Sequence, residues 1–226
     1  MIDRPARAGD IDVWVCAEPT EASDTIVRRA LSRYPGVSAA ANRVDRDARG
    51  RPVIRGREDL GISVSHSNGL ILVAIGQHCR VGVDIEPVMD RGLTRLRYHA
   101  LTDAELAELE LHDRSRQTEV LLGYWTRKEA LLKAVGLGLA LDPRLIELPP
   151  ANGSPHPLAV PDALGRSSDW WIVGLVLQGY VAAVAADVKA PRVRLLQLTG
   201  GSTGRAALLS ARDAHARGVH RGVSTR

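Results

Sequence analysis

The sequence predicts an α+β protein built as two small halves. Three observations carry that prediction: strand-like runs bounded by turn residues, helical stretches between them, and a second apolar strand pair after the helices. A chain of 226 residues is long enough for one sizeable domain or two small ones sharing a core. Its 45 % hydrophobic and 25 % charged residues are ordinary globular values. With no Phe, the core must come from Leu, Val, Ile and Ala with four Trp.

Residues 12–17 read as a short strand. Residues 24–33 follow as a helix, with Ile26, Val27, Ala30 and Leu31 at helical spacing and Pro35-Gly36 to stop it. Residues 42–59 are polar around Gly50-Arg51-Pro52 and read as a loop before a strand. Runs at 62–66, 70–76 and 81–86 then read as three strands, the first two joined by Ser67-Asn68-Gly69, in an antiparallel meander. Thr102-Asp103-Ala104-Glu105 is a capping-box pattern and starts a helix. A longer helix spans about residues 117–135, with Gly136 placed to end it. Six of the twelve prolines lie between Pro143 and Pro161 and mark a long surface connection. The apolar stretch 170–186 only just reaches the length of a membrane span. Gln178-Gly179 at its middle makes it a hairpin that closes the folded part.

Charge is unevenly placed. Residues 188–226 carry eight Lys or Arg against Asp213 alone, so this tail holds +7 of a chain whose total is +4, and the rest is −3. The tail reads as a flexible, solvated extension. A body of net −3 speaks against nucleic-acid binding, and no membrane partner is expected. Cys16 and Cys79 lack metal-ligand or disulfide spacing, as two reduced thiols of a cytoplasmic protein would.

Three features carry chemistry. Ser63-Val64-Ser65-His66-Ser67 ends a strand with several hydrogen-bond donors in a small volume, which suits a phosphate; taken alone, it is more often the signature of a structural His beside turn serines. In Gly82-Val83-Asp84-Ile85-Glu86, strand alternation puts Asp84 and Glu86 on one face. Paired carboxylates repel unless a cation lies between them, and oxygen ligands favour Mg²⁺ over zinc; the blander alternative is a solvated sheet face. In Trp125-Thr126-Arg127-Lys128-Glu129-Ala130-Leu131-Leu132-Lys133, Glu129 and Lys133 have the spacing of a surface helix pair. Of the 30 basic residues only three are Lys, however, and two of these flank Glu129. Together the features supply carboxylates for a metal and His66, Lys128 and Lys133 for phosphate oxygens, a set suited to attack on a phosphoanhydride or phosphodiester. A metal-dependent phosphodiesterase or nuclease would use similar carboxylates but would show a basic face in the body.

The set Ser-His-Ser, Gly-Val-Asp-Ile-Glu and Trp-Thr-Arg-Lys-Glu-Ala-Leu-Leu-Lys-Ala-Val-Gly-Leu-Gly-Leu resembles the pseudo-dimeric, surfactin-synthetase-type members of the 4′-phosphopantetheinyl transferase superfamily, over roughly residues 11–187. The resemblance implies two pseudo-symmetric halves, each a small antiparallel sheet with a packed helix. They would cover residues 1–80 and 81–187, with 188–226 as a basic tail and coenzyme A in the cleft. It implies transfer of 4′-phosphopantetheine from coenzyme A to a serine of an apo acyl or peptidyl carrier protein, releasing adenosine 3′,5′-bisphosphate, by a monomer. Such enzymes serve fatty-acid, polyketide or nonribosomal peptide synthesis. Asp84, Glu86 and Glu129 would hold Mg²⁺; Ser65, His66, Lys128, Lys133 and Arg51 would bind coenzyme A. Glu129, with His66 and Lys133, would carry the catalysis. One departure stands out: the family's longer Arg-rich segment before the first helix is reduced here to residues 18–23, with Pro19 or a neighbour at the expected Arg position. A member that binds coenzyme A or a carrier protein without turnover is the alternative from another class.

Overall fold

The computed structural model describes residues 8–17, 21–34, 37, 44–48, 50–89, 93–198 and 220–221. Pro19, Pro35-Gly36 and the Arg- and Gly-rich residues 199–219 lie outside the described residues. In chain order the elements are β1 (Ile11–Ala17), α1 (Ser23–Leu31), β2 (Val44–Arg46), β3 (Pro52–Ile54), β4 (Leu60–Ser67), β5 (Leu70–Gln77) and β6 (Val81–Pro87). Then come α2 (Leu93–Ala100), α3 (Asp103–Glu110), α4 (Arg114–Val135), β7 (Trp171–Leu177), β8 (Tyr180–Ala186), β9 (Val193–Gln197) and β10 (His220–Arg221).

Alternation along the strands builds the layers. β5 is buried on both faces, so it reads as an unbroken apolar run. Ile71, Val73 and Ile75 pack with Ile26, Val27 and Leu31 of α1. Leu70, Leu72 and Ala74 face the opposite way, joining Val13 and Val15 of β1 against Val83 and Ile85 of β6 and Val184 of β8. The far side of that second sheet, through Ala183 and Ala185, meets Ala130, Leu131 and Ala134 of α4. The result is four layers: α1, a sheet ordered β10-β9-β1-β5-β4, a sheet ordered β6-β8-β7, and α4. A β2-β3 ribbon stands apart. The β4-β5 turn uses Asn68 at φ 42° and Gly69 at φ 83°, the left-handed pair that a two-residue hairpin needs. The Thr102–Glu105 capping box and the left-handed Gly136 bound α3 and α4 as the sequence predicts. Residues 170–186 are the predicted hairpin, and no helix among the described residues is long and apolar enough to cross a membrane.

Two expectations are corrected. β6 does not extend a meander with β4 and β5; it pairs antiparallel with β8 over seven residues, Val81 with Ala186 through Pro87 with Tyr180. His78, at φ 54°, turns the chain out of the first sheet, and the apolar partner strand lies about a hundred residues further on. Nor does the hairpin close the fold. β9 adds to β1 in parallel, burying Val193 and Leu195, and Arg194 Nε and Nη2 donate to the two oxygens of buried Asp12 at 2.5 and 2.9 Å. Part of the presumed tail is therefore structural.

Candidate functional site

The site begins where the edge of one sheet meets the edge of the other. On β4, Ser63, Ser65 and Ser67 share a face and form three successive rungs to β6. Val83 N–H donates to Ser63 Oγ at 3.1 Å, Ser65 Oγ donates to Asp84 Oδ1 at 2.8 Å, and Ser67 Oγ reaches Glu86 Oε2 at 3.4 Å. The serines thus satisfy one backbone N–H on the free edge of β6 and hold one oxygen each of Asp84 and Glu86.

The fourth layer, α4, comes within reach because of Gly82. Alternation puts Gly82, Asp84 and Glu86 on the face opposite Val81, Val83 and Ile85, which means towards α4. A Cβ at Gly82 would stand 1.9 Å from Ala130 O and 2.5 Å from Ala134 N. Only glycine lets the helix backbone lie against this strand. Glu129 and Lys133, one helical turn apart beside that contact, are thereby delivered to Asp84. Lys133 Nζ donates to Asp84 Oδ1 at 2.7 Å and to Ser65 Oγ at 2.9 Å.

The electrostatics are uneven. Asp84 is 4 % exposed and only its Oδ1 is bonded; Oδ2 is buried without a partner, as is Glu129 Oε1. Burial, then the charge of Asp84, pushes the Glu129 carboxyl up to about 7, with Lys133 opposing and Glu86 adding to the rise. Burial and Asp84 likewise raise Glu86, against hydrogen bonds from Trp125 and Ser67. Three carboxylates that repel one another and one ammonium that cannot satisfy them all make a local excess of negative charge with unfilled oxygens.

Residues 80–185 match the family model described as the 4′-phosphopantetheinyl transferase superfamily. The 4′-phosphopantetheinyl transferase HetI of Nostoc sp. is 33 % identical over 168 residues, spanning 71 % of this chain and 67 % of that protein. The chain belongs to the 4′-phosphopantetheinyl transferase superfamily. The transferase Sfp of Bacillus subtilis strain 168 is 27 % identical over 125 residues, 55 % of each chain. A crystal structure of a holo-(acyl-carrier-protein) synthase from Bacillus anthracis, in complex with CoA (3′,5′-ADP), is 23 % identical and covers 47 % of this chain and 92 % of its own, with a TM-score of 0.38.

Membership in the transferase superfamily implies a divalent metal, and the donor set can be tested against it. Among the described residues no group of three or more His, Cys, Asp or Glu side chains is gathered closely enough to hold a metal ion by itself. The chemistry nevertheless fits Mg²⁺. The donors are all carboxylate oxygens, and two of the unfilled ones are buried at the same seam. Mg²⁺ is ordinarily held by one or two carboxylates together with substrate phosphates and water, so a complete protein cage is not required.

The sequence-predicted transferase residues part company here. The structure brings Ser65, Asp84, Glu86, Glu129 and Lys133 together. His66 lies on the other face of β4 and is exposed, on the side of Ile62 and Val64, so it does not share the carboxylate seam. Arg51 Nε is paired with Asp47 Oδ2 at 2.7 Å, and its Nη1 donates to Ala134 O at 3.3 Å, tying the β2-β3 turn to the C-terminal end of α4. Lys128 is a correction. It is fully buried, with Nζ donating to Glu105 Oε2 at 2.5 Å and to Ala100 O at 2.7 Å, and cannot reach a phosphate. Helical geometry turns it about 100° from Glu129, into the α2-α3 side of the core. Sequence reasoning names Ser63, Ser67, Trp125 and Gly82 within its motifs but misses what each one does here. The alternation Ser-x-Ser-x-Ser was the available signal for the first two.

Proposed function

We propose that this protein transfers 4′-phosphopantetheine from coenzyme A to a serine of an apo acyl or peptidyl carrier protein. One observation carries the reading: Asp84, Glu86, Glu129 and Lys133 converge where the two sheets and α4 meet, with carboxylate oxygens buried and unfilled. Asp84, Glu86 and Glu129 would hold Mg²⁺ together with the coenzyme A pyrophosphate. The ion supplies charge neutralisation on the phosphate oxygens.

The chain's own residues then have distinct tasks. Among the described residues Lys133 is the one ammonium at the seam, and it pairs with a phosphate oxygen as readily as with Asp84. Ser65, bonded to both Lys133 and Asp84, orients them. His66 and Arg51, away from the carboxylates, serve the adenosine end of coenzyme A. Glu129 accepts the proton of the carrier serine directly or through water. The serine oxygen forms a bond to the β-phosphorus, the phosphoanhydride bond breaks, and adenosine 3′,5′-bisphosphate leaves with the electron pair.

Residues 1–80 and 81–187 are read as the two halves, which makes a monomer sufficient. Reduced Cys16 and Cys79 fit a cytoplasmic setting. Fatty-acid, polyketide and nonribosomal peptide carriers are all candidate acceptors. Intact-mass analysis of several apo carrier proteins after incubation with this protein, coenzyme A and Mg²⁺ tests the reading. Gain of one phosphopantetheine supports it. Binding of coenzyme A with no gain on any carrier would leave a binding protein instead.

A further inference from the structure

We propose that Glu105 is a positioning residue for the transfer reaction, acting through Lys128 on the aim of Glu129 and Lys133; this rests on the transferase reading above. Glu105 is 2 % exposed and gathers donors from three segments. Oε2 accepts from Thr102 N at 2.8 Å and Lys128 Nζ at 2.5 Å, and Oε1 accepts from Leu148 N at 2.8 Å. Lys128 adds the carbonyl of Ala100 at the end of α2. The Glu105–Lys128 pair thus ties α2, the cap of α3, α4 and Leu148 to a common point.

Stability does not explain this choice. The pair sits in a cluster of Leu101, Leu109, Leu131 and Ile146, where apolar side chains of similar volume serve as well as a buried ion pair, or better. Direction does explain it. Apolar contacts let a helix roll in its groove, whereas an ammonium bonded to a carboxylate, itself held by two backbone N–H groups, fixes one rotation. Glu129 follows Lys128 directly, so the direction of one side chain sets that of the other. Gly82 fixes how near α4 comes to β6, and the Glu105–Lys128 pair fixes how α4 is turned. With a carboxylate tip roughly 6 Å from the helix axis, a roll of about 10° moves Glu129 by about 1 Å. Displacement of that size is enough to cost a catalytic group much of its effect.

The test compares wild type, Glu105→Gln and Glu105→Gln/Lys128→Met in kcat, KM for coenzyme A, thermal midpoint and crystal structure. Glu105→Gln strands a buried ammonium and should lower the midpoint by about 10 °C. The double variant removes that charge, keeps the volume and should recover most of the midpoint. Its kcat is expected to stay between about ten- and a hundredfold low, with KM for coenzyme A little changed and the Lys133–Asp84 contact lengthened. A double variant with wild-type kcat overturns the proposal and leaves the pair purely structural. An inactive wild type would sink the transferase reading instead. The geometry then decides this one: an unchanged Lys133–Asp84 contact in the double variant overturns it.

Discussion

Lys128 and Lys133 leave the same helix five residues apart, and each meets a carboxylate, at 2.5 Å for Glu105 and 2.7 Å for Asp84. The two pairs differ in what is left over. Around Lys128 the acceptors are all used: both oxygens of Glu105 are filled and a backbone carbonyl takes another proton. Around Lys133 the negative groups outnumber the positive one, and buried oxygens of Asp84 and Glu129 stay unpartnered. A satisfied pair holds a structure, while a cluster left short of cations is prepared to receive one.

The sharpest way to break that comparison is Glu129→Gln. If the unfilled cluster exists for chemistry, turnover falls about a thousandfold, as expected when a general base and a metal ligand are lost together. The thermal midpoint should hold or rise, because a repelled, partly buried carboxylate has gone. Steady-state kinetics beside a melting curve check both. Unchanged turnover with a lowered midpoint would make Glu129 another structural acid.

Gly82→Ala moves the two sites together. A Cβ that close to Ala130 O and Ala134 N must push α4 off β6. Urea unfolding should show a loss of about 3 kcal/mol, with turnover reduced in the molecules that remain folded. A variant of wild-type stability and rate would mean that the helix is not set by this contact.

A third pair extends the comparison to the far sheet. Asp12 is 1 % exposed, bonded by Arg194 and by the Tyr34 hydroxyl, so it resembles the satisfied Lys128 pair and not the Lys133 cluster. Arg194→Met should therefore cost about 2 kcal/mol of stability, less than full loss of a buried partner because Tyr34 remains. Turnover per folded molecule should be unaffected. Chemical denaturation and an activity titration at low temperature separate the two effects.

How much of this was legible depended on whether the decisive neighbour was close in sequence. The strand alternation that aligns Asp84 with Glu86, the capping box at Thr102 and the hairpin at Gln178-Gly179 are local, and each was read correctly. The Glu129–Lys133 spacing showed that both could face one direction, though not what lay there. Lys128 was misread because a motif lists residues without saying which side of the helix each takes, and its partner lies 23 residues back on α3. Glu105 was seen only as a cap. β6 pairs with β8 about a hundred residues away and Arg194 with Asp12 across 182, and a high count of arginines concealed the one that reaches a buried carboxylate.

The smallest effect is one of pH, and its sign distinguishes the two lysine pairs without any substrate. Glu129 has a carboxyl raised from an ordinary 4.5 to about 7, first by burial and then by Asp84, and Glu86 is shifted the same way. Between the unfolded and folded values the native protein holds protons that the unfolded chain has released. Stability contributed by these groups therefore falls as pH rises from about 4.5 to 7 and levels off above. In metal-free buffer the thermal midpoint should drop by roughly 3 °C more across this range than in Glu129→Gln, the small size reflecting partial exposure of the seam. Excess Mg²⁺ should abolish the difference, because a bound cation lowers the pKa of the carboxylates that ligate it. If the slope survives saturating Mg²⁺, the cation does not bind at these carboxylates, and the unfilled oxygens of Asp84 and Glu129 need another occupant.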